Sequence, residues 1–387
     1  MKLIEHGSTV LAGEAVKRAE RMVGPENVYV CVFEQSREIF DVLSLIPRAN
    51  QFSIRTDNAF RLVIDIIGTL IRVRRLKIDA VVDMEFFARG SAILAYLCGA
   101  TRRVGTHGFM GEAPYRGDLM THRVLYNPYF HTAYAFALLV DAFDHDPKEV
   151  PLLKVPIETS TLFVPSFQPT RELRARVRAM LSEEAEGEIG SPIILFNPNI
   201  RDILRVRKWP AERYVELVRR LTPAYPNAQI VLTGMPDEQD AAQALCQAMA
   251  SPNVLNLVGR TNLWELLTLY CLSDVLVTND SGPAHFASAT EIHQVVLFGP
   301  ETPALFGPLG DRTRVIYKQL ACSPCVTAYN HRFSPCRDNV CIRSITVDEV
   351  YDLVCDCLVA RGLRPPESHP GDTLSPTDAV DAAKTPV

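Results

Sequence analysis

Short apolar runs alternate with amphipathic stretches from one end of the chain to the other. Runs of aliphatic and β-branched residues bounded by turn residues predict strands at 28–34, 80–84, 192–198, 228–234, 254–259, 275–279, 294–299 and 314–318. Apolar positions at helical spacing predict helices at 60–76, 211–221, 237–250 and 263–272. Such alternation points to an α/β chain with parallel sheets covered on both faces. We expect two doubly wound units, at 1–150 and 191–362, joined by a proline-rich connector at 151–190 that ends in a charged helix. Residues 363–387 are rich in Pro, Ser, Thr, Asp and Ala and are expected to be disordered. The first strand is only a stub at 1–4: either it is minimal or the chain begins downstream of its natural start. Two such units bring two sets of strand C-terminal ends together, so a central cleft is the expected active site.

Composition narrows the function classes. Of 387 residues, 47% are hydrophobic and 22% charged, enough apolar material for packed cores. Lys and Arg number 40 against 45 Asp and Glu, a net charge of −5, which argues against nucleic acid as the main partner. There is no uncharged run of about 18 apolar residues, and the opening residues lack a signal-peptide pattern. Ten cysteines without such a leader suggest reduced thiols in the cytosol.

The candidate chemistry gathers where strands hand over to helices. Asn279-Asp280-Ser281-Gly282-Pro283-Ala284-His285 follows the strand VLVT. Asp280 and Ser281 stand at capping positions, and the amides from Gly282 to His285 are expected to face an anion such as a diphosphate. Asn197-Pro198-Asn199 closes another strand and precedes Arg201, Arg205, Arg207 and Lys208, cations suited to phosphate. Gly234 and Glu238 form a third junction, where a carboxylate suits ribose hydroxyls, and 298–302 (with Glu301) forms a fourth. In the first unit, Glu5-His6-Gly7-Ser8 joins the stub strand to a helix and offers a base, and Asp83 with Glu85 is a second acidic candidate. Each of these has a plain structural alternative as a capped turn or solvated loop.

Two further features stay open. Cys322, Cys325, Cys336 and Cys341, with His331, have the residue types of a zinc cluster, but their uneven spacing favours free thiols or a labile disulfide. The helix at 60–76 carries Arg61, Arg72, Arg74 and Arg75, with Lys77 beyond. It suits either an anionic membrane surface or, the preferred reading, a buried amphipathic domain helix with basic ends.

These strings resemble glycosyltransferase family 9, the lipopolysaccharide heptosyltransferase family. The matching pieces are KL-x3-GSTVLA, the stretch from Asp79 to Gly105, NPNIR, RKWPAERYVEL, IVLTGMPDE, SDVLVTNDSGPAHFASA, VLFGPETP, CSPC and ITVDEV. The resemblance implies a GT-B architecture, two Rossmann-like domains facing a central cleft, with a nucleotide-diphosphate sugar held mainly by the second. It further implies inverting, metal-independent transfer of a sugar, with heptose as the family's example, to a lipopolysaccharide-type glycolipid or polysaccharide, with no cofactor. The enzyme is expected to be cytoplasmic, with peripheral contact to the inner membrane as an option.

Carried onto this chain, the phosphate-binding block falls on Asp280, Ser281, Gly282 and His285, the cation before the Trp-Pro pair on Arg207, and the turn after the first strand of the second domain on Asn199 and Ile200. Where the family places a catalytic Asp, this chain has Ser8. A serine is no base near neutral pH without a partner for its proton, so Glu5 or His6 are the expected substitutes, with Asp83 a remote one. The alternatives are a silent sugar-nucleotide or glycan-binding protein and a sugar-nucleotide epimerase.

Overall fold

The computed structural model describes residues 1–3, 6–107, 116–157, 162–198, 206–329 and 333–364, with His6 by its backbone alone. In the first unit the chain runs through α1 (His6–Val10), α2 (Gly13–Val23), β1 (Val30–Phe33), α3 (Glu34–Val42), β2 (Gln51–Ile54), α4 (Ala59–Arg75), β3 (Ala80–Asp83), α5 (Arg89–Leu97), β4 (Arg102–His107), β5 (His122–Leu125) and α6 (Thr132–Asp141). Strands β1 and β2 pair in parallel, as do β3, β4 and β5. Residues 1–3 lie between the two sets: the Lys2 amide donates to the Cys31 carbonyl at 3.1 Å, and the Met84 amide to the Met1 carbonyl at 3.0 Å. The stub therefore holds the central position of the first sheet. Beside it is a cavity of about 590 Å³ lined by Met1, Val30, Val82, Ala15 and Val73 among others.

The second unit comprises α7 (Arg171–Glu184), β6 (Ile193–Asn197), α8 (Ala211–Ala224), β7 (Gln229–Leu232), α9 (Gln239–Met249), β8 (Val254–Asn256), α10 (Leu263–Leu272), β9 (Val275–Asn279), α11 (Gly282–Ala287), β10 (His293–Phe298), α12 (Pro303–Phe306), β11 (Thr313–Tyr317), α13 (Val340–Arg343) and α14 (Val347–Ala360). Its six parallel strands are ordered β11-β10-β9-β6-β7-β8. Alternate residues of each strand serve opposite faces. Ile194, Phe196, Val275 and Val277 join the core under α8 and α14, while Leu195, Val231 and Leu276 join the one under α7 and α10. That two-sided burial explains why these strands are nearly all apolar. Helix α7, expected within the connector, inserts Val177 and Leu181 into this second core.

Strands β2, β4 and β5 were absent from the sequence-based expectation. Each is short and carries Gln, Ser, Arg or His among its apolar residues, a mixture that resembles a loop until its neighbours are known.

The two units share apolar packing. Leu267 and Ala289 join the cluster of Val10, Ile39 and Phe40, and Leu305 and Phe306 join that of Leu11, Ala15 and Phe136. Tyr329 packs on Phe87 and Tyr126 with ring centroids 5.7 and 5.3 Å away. His131, at the start of α6, accepts the Ala133 amide on Nδ1 at 3.2 Å and reaches the Gly307 carbonyl with Nε2 at 2.8 Å. The first bond leaves the proton on Nε2, so the neutral ring clasps the two units.

Burial holds the His131 imidazole below its ordinary value, opposed by the Gly307 carbonyl. A histidine with a depressed folded value adds stability that is complete above the unfolded value of about 6.5 and is lost as pH falls through it. The loss is at most about 1.4 kcal/mol per pH unit. Melting curves taken between about pH 7.5 and 5.5 should therefore show a steeper acid loss for the wild type than for His131→Ala. Equal slopes would show that this ring is not the interdomain proton switch.

Candidate active site at the meeting of the two domains

Strand order points to a candidate crevice. From β6 the chain winds outward through β7 and β8, then crosses back to β9 and winds the other way through β10 and β11. The crevice of such a sheet opens at the C-terminal ends of the two strands flanking the reversal, here β6 and β9. Of the four junctions singled out from sequence, topology thus selects the one after Asn197 and the one after Asn279.

A chain of polar contacts fixes these ends. Asn197 Nδ2 donates to the Thr233 carbonyl at 3.2 Å and its hydroxyl at 3.1 Å. Thr278 Oγ1 donates to the Asn197 carbonyl at 3.2 Å, and Asn279 Nδ2 to the Pro198 carbonyl at 2.8 Å. Asn279 Oδ1 accepts the Trp209 amide at 3.2 Å, while the buried Trp209 indole donates to the Ile345 carbonyl at 2.9 Å. The buried Asn279 amide, with partners on both its nitrogen and its oxygen, holds the two loops in one arrangement. Asn199, Ile200, Arg201 and Arg205 lie outside the described residues.

Arg207 stands between two carboxylates. Its Nη1 lies 3.2 Å from Asp280 Oδ2 and its Nη2 3.9 Å from Glu301 Oε2, with both acids almost fully buried. The guanidinium also faces the Asp280 carbonyl at 3.5 Å. The sequence had suggested Arg207 as a phosphate ligand and Asp280 as a helix cap. The structure corrects the second assignment: Ser281 holds the N-cap position of α11, and the Asp280 carboxylate turns toward Arg207. Ser281 makes no cap either, since its hydroxyl donates to the Asn279 carbonyl at 3.0 Å. The N-cap residue of α11 therefore makes no side-chain cap. Glu301 was named only as part of a turn; its pairing with Arg207 spans 94 positions and left no local trace.

Gly234 and Glu238 sit together at the end of β7. Glu238 Oε2 accepts the Met235 amide at 2.7 Å, and a Cβ at Gly234 would stand 2.7 Å from that oxygen. The buried carboxylate closes its own turn. His285 is buried in α11 beside the first unit.

The first unit meets the block through α1. A Cβ at Gly7 would stand 2.9 Å from the His285 ring carbon Cδ2 and 3.0 Å from Gly282 Cα. Glycine is required there because the two backbones touch. Ser8 is buried within α1. Glu5 and the His6 side chain lie outside the described residues, at the N-terminal side of this contact.

Asp83 and Glu85 are not exposed acids. Asp83 is fully buried, bonded to Ser91 Oγ at 2.8 Å and the Glu85 amide at 3.1 Å, and paired with the buried Arg116. Glu85 accepts the Leu3 amide at 2.7 Å and pairs with Lys2 at 3.1 Å. Both anchor the stub strand and the β3 turn, which removes Asp83 as a remote base.

Cys322, Cys325, Cys336 and Cys341 are free thiols, as are the other six cysteines, and His331 lies outside the described residues. Among the described residues no group of three or more His, Cys, Asp or Glu is arranged to hold a metal ion.

A model of glycosyltransferase family 9 (heptosyltransferase) matches residues 71–333. The lipooligosaccharide heptosyltransferase 2 of Haemophilus influenzae is 28% identical over 244 residues, 60% of this chain and 65% of that protein. The lipopolysaccharide heptosyltransferase 2 of Salmonella typhimurium is 28% identical over 155 residues, 39% of this chain and 44% of that protein. The matched stretches thus span between about half and two thirds of these relatives. Among solved structures, the ADP-heptose lipopolysaccharide heptosyltransferase II of E. coli superposes with a TM-score of 0.68 at 18% identity, covering 93% of this chain and 99% of the other. A family 9 glycosyltransferase from Veillonella parvula gives 0.69 at 16%, covering 93% and 96%. The fold is therefore the two-domain GT-B architecture.

Proposed function

This chain belongs to glycosyltransferase family 9, and on that premise we propose that it transfers a heptose from an ADP-activated donor to a sugar of a lipopolysaccharide-type glycolipid. The observation that carries the proposal is the packing of Gly7 against Gly282 and His285. It sets the first-domain turn, where the family places its base, against the second-domain crevice where the strand order reverses. A donor in that crevice and an acceptor held by the first domain would meet at this seam. The donor comes from the relatives: the E. coli neighbour is an ADP-heptose enzyme, and another solved heptosyltransferase holds ADP.

The mechanism is a single displacement that inverts the anomeric centre, with no step drawn through a metal. Glu5 or His6, just before Gly7, accepts the proton of the acceptor hydroxyl. The amides at the start of α11 and the guanidinium of Arg207 face the departing diphosphate. Arg207 reaches the site already balanced by Asp280 and Glu301, so it acts as an oriented donor of hydrogen bonds more than as a free charge. The shared apolar seam excludes water that would otherwise hydrolyse the donor. We place the reaction in the cytoplasm; no helix among the described residues is long and apolar enough to cross a membrane.

The test is to incubate the chain with ADP-heptose and a lipid A–core acceptor and to follow ADP release. Acceptor-dependent release, reduced about 100-fold or more in Glu5→Gln or His6→Ala, is expected. Donor binding without release, unchanged by either substitution, would instead support the silent binding protein that Ser8 raises. Product formed from the donor alone would indicate an epimerase.

A further inference from the structure

Helix α4 carries two apolar stripes. The inner one, Leu62, Ile66, Leu70 and Val73, packs onto the first sheet with Phe52, Ile54 and Leu94. The outer one, Phe60, Val63, Ile64, Ile67 and Ile71, also follows helical spacing, and those residues are 74%, 54%, 47%, 51% and 47% exposed. No heavy atom lies within 4 Å of the Cβ position at Gly68 in this stripe. An apolar stripe this exposed belongs in an interior or against an apolar phase, not in water. Helix α5, which covers the same sheet face, adds exposed Ile93, Tyr96 and Leu97, and Arg74 of α4 bonds the Leu97 carbonyl at 2.8 Å. The inner stripe is that of the amphipathic domain helix expected from the sequence, and the outer stripe is a second apolar face left exposed.

Charge identifies the occupant. Between positions 55 and 77 there are six cations (Arg55, Arg61, Arg72, Arg74, Arg75, Lys77) and two carboxylates (Asp57, Asp65), on a chain of net charge −5. Both carboxylates are already engaged, Asp65 with Arg55 and Asp57 with Arg61, each at 2.8 Å. A second copy would bring the same cationic surplus to the contact and be repelled. Residues 365–387 offer only Leu374, Val380 and Val387 as large apolar groups, too few to cover five. An anionic bilayer supplies both what the stripe lacks and what the cations attract.

We propose that the outer face of α4, with the exposed end of α5, is a docking surface for an anionic membrane, the apolar stripe entering the headgroup boundary and the cations contacting lipid phosphates. The inference does not depend on the transfer reaction and would stand if the sugar or acceptor were different. On the transferase reading it holds the first domain where a lipid-linked acceptor lies.

The test is sedimentation of the full chain with phosphatidylcholine vesicles, with and without phosphatidylglycerol. Binding is expected to the anionic vesicles and to weaken with salt. Ile64→Ser with Ile67→Ser should reduce it at least about ten-fold. Arg75→Gln with Lys77→Asn should lower affinity roughly five-fold per cation removed; asparagine tolerates the φ of 52° at position 77. Far-ultraviolet circular dichroism and donor affinity should be unchanged in both pairs. No wild-type binding, equal binding to neutral and anionic vesicles, or native binding by the folded isoleucine variant would overturn the proposal. So would a wild-type dimer that the isoleucine substitutions dissociate, for then the face covers a second copy.

Discussion

Arg207→Ala is expected to lower stability by about 3–5 kcal/mol and to weaken donor binding at the same time. The stability loss follows from what remains: Asp280 and Glu301, both almost fully buried, would lose the guanidinium that lies 3.2 and 3.9 Å from them. Removing the cation of a buried ion cluster takes away the charge that both carboxylates face in a poor dielectric, and this is costly even where other partners remain. Glu301→Gln in the same chain should recover part of the loss, because one of the stranded charges is gone. Denaturant unfolding of the single and double variants measures the first effect, and calorimetric titration with ADP the second. Native stability with an unchanged ADP Kd would show that Arg207 belongs neither to the charge cluster nor to the donor site. A stability loss alone would leave Arg207 as a brace of the β9 junction.

The second large effect is expected at Gly7. A Cβ there would press on Gly282 Cα at 3.0 Å and the His285 ring at 2.9 Å. The ring is able to swing, but the backbone of Gly282 is not, so α1 must move off α11. Overpacking of this kind costs roughly 1–3 kcal/mol, and a displacement of about 1 Å between reacting groups lowers turnover on the order of 100-fold. Gly7→Ala should therefore bind ADP nearly as the wild type does while releasing ADP from ADP-heptose about 100-fold more slowly in the presence of acceptor. Turnover within a factor of two of wild type would mean that the seam at Gly7 does not set the distance between donor and acceptor.

Much of the candidate site was readable because it is local. The strand, turn and helix around Asp280 to His285 lie within a dozen consecutive positions, and the order of apolar, polar and glycine residues there is enough to place a loop at a strand end. The same holds for Gly234 with Glu238, whose carboxylate closes its turn on the Met235 amide three residues back. The errors arose where a side chain chooses among partners. Asp280 had a capping position available and turned to Arg207, since a buried carboxylate gains more from a guanidinium than from an amide. Asp83 had the appearance of a strand-end acid, and burial with Arg116 and Ser91 made it an anchor. The outer stripe of α4 was not told apart from the inner one in the sequence, because periodicity reports which residues share a side, not whether anything covers it.

From the chain alone came the α/β class, the doubly wound second unit with its central strands, and four candidate strand-end junctions, because apolar periodicity and turn residues act over a few positions. Which junctions flank the reversal of strand order, that Glu301 faces Arg207, that Gly7 touches Gly282, and that α4 shows a second apolar stripe to solvent were decided by the tertiary structure. Those facts join residues tens to hundreds of positions apart, and only the packing of whole elements selects such partners.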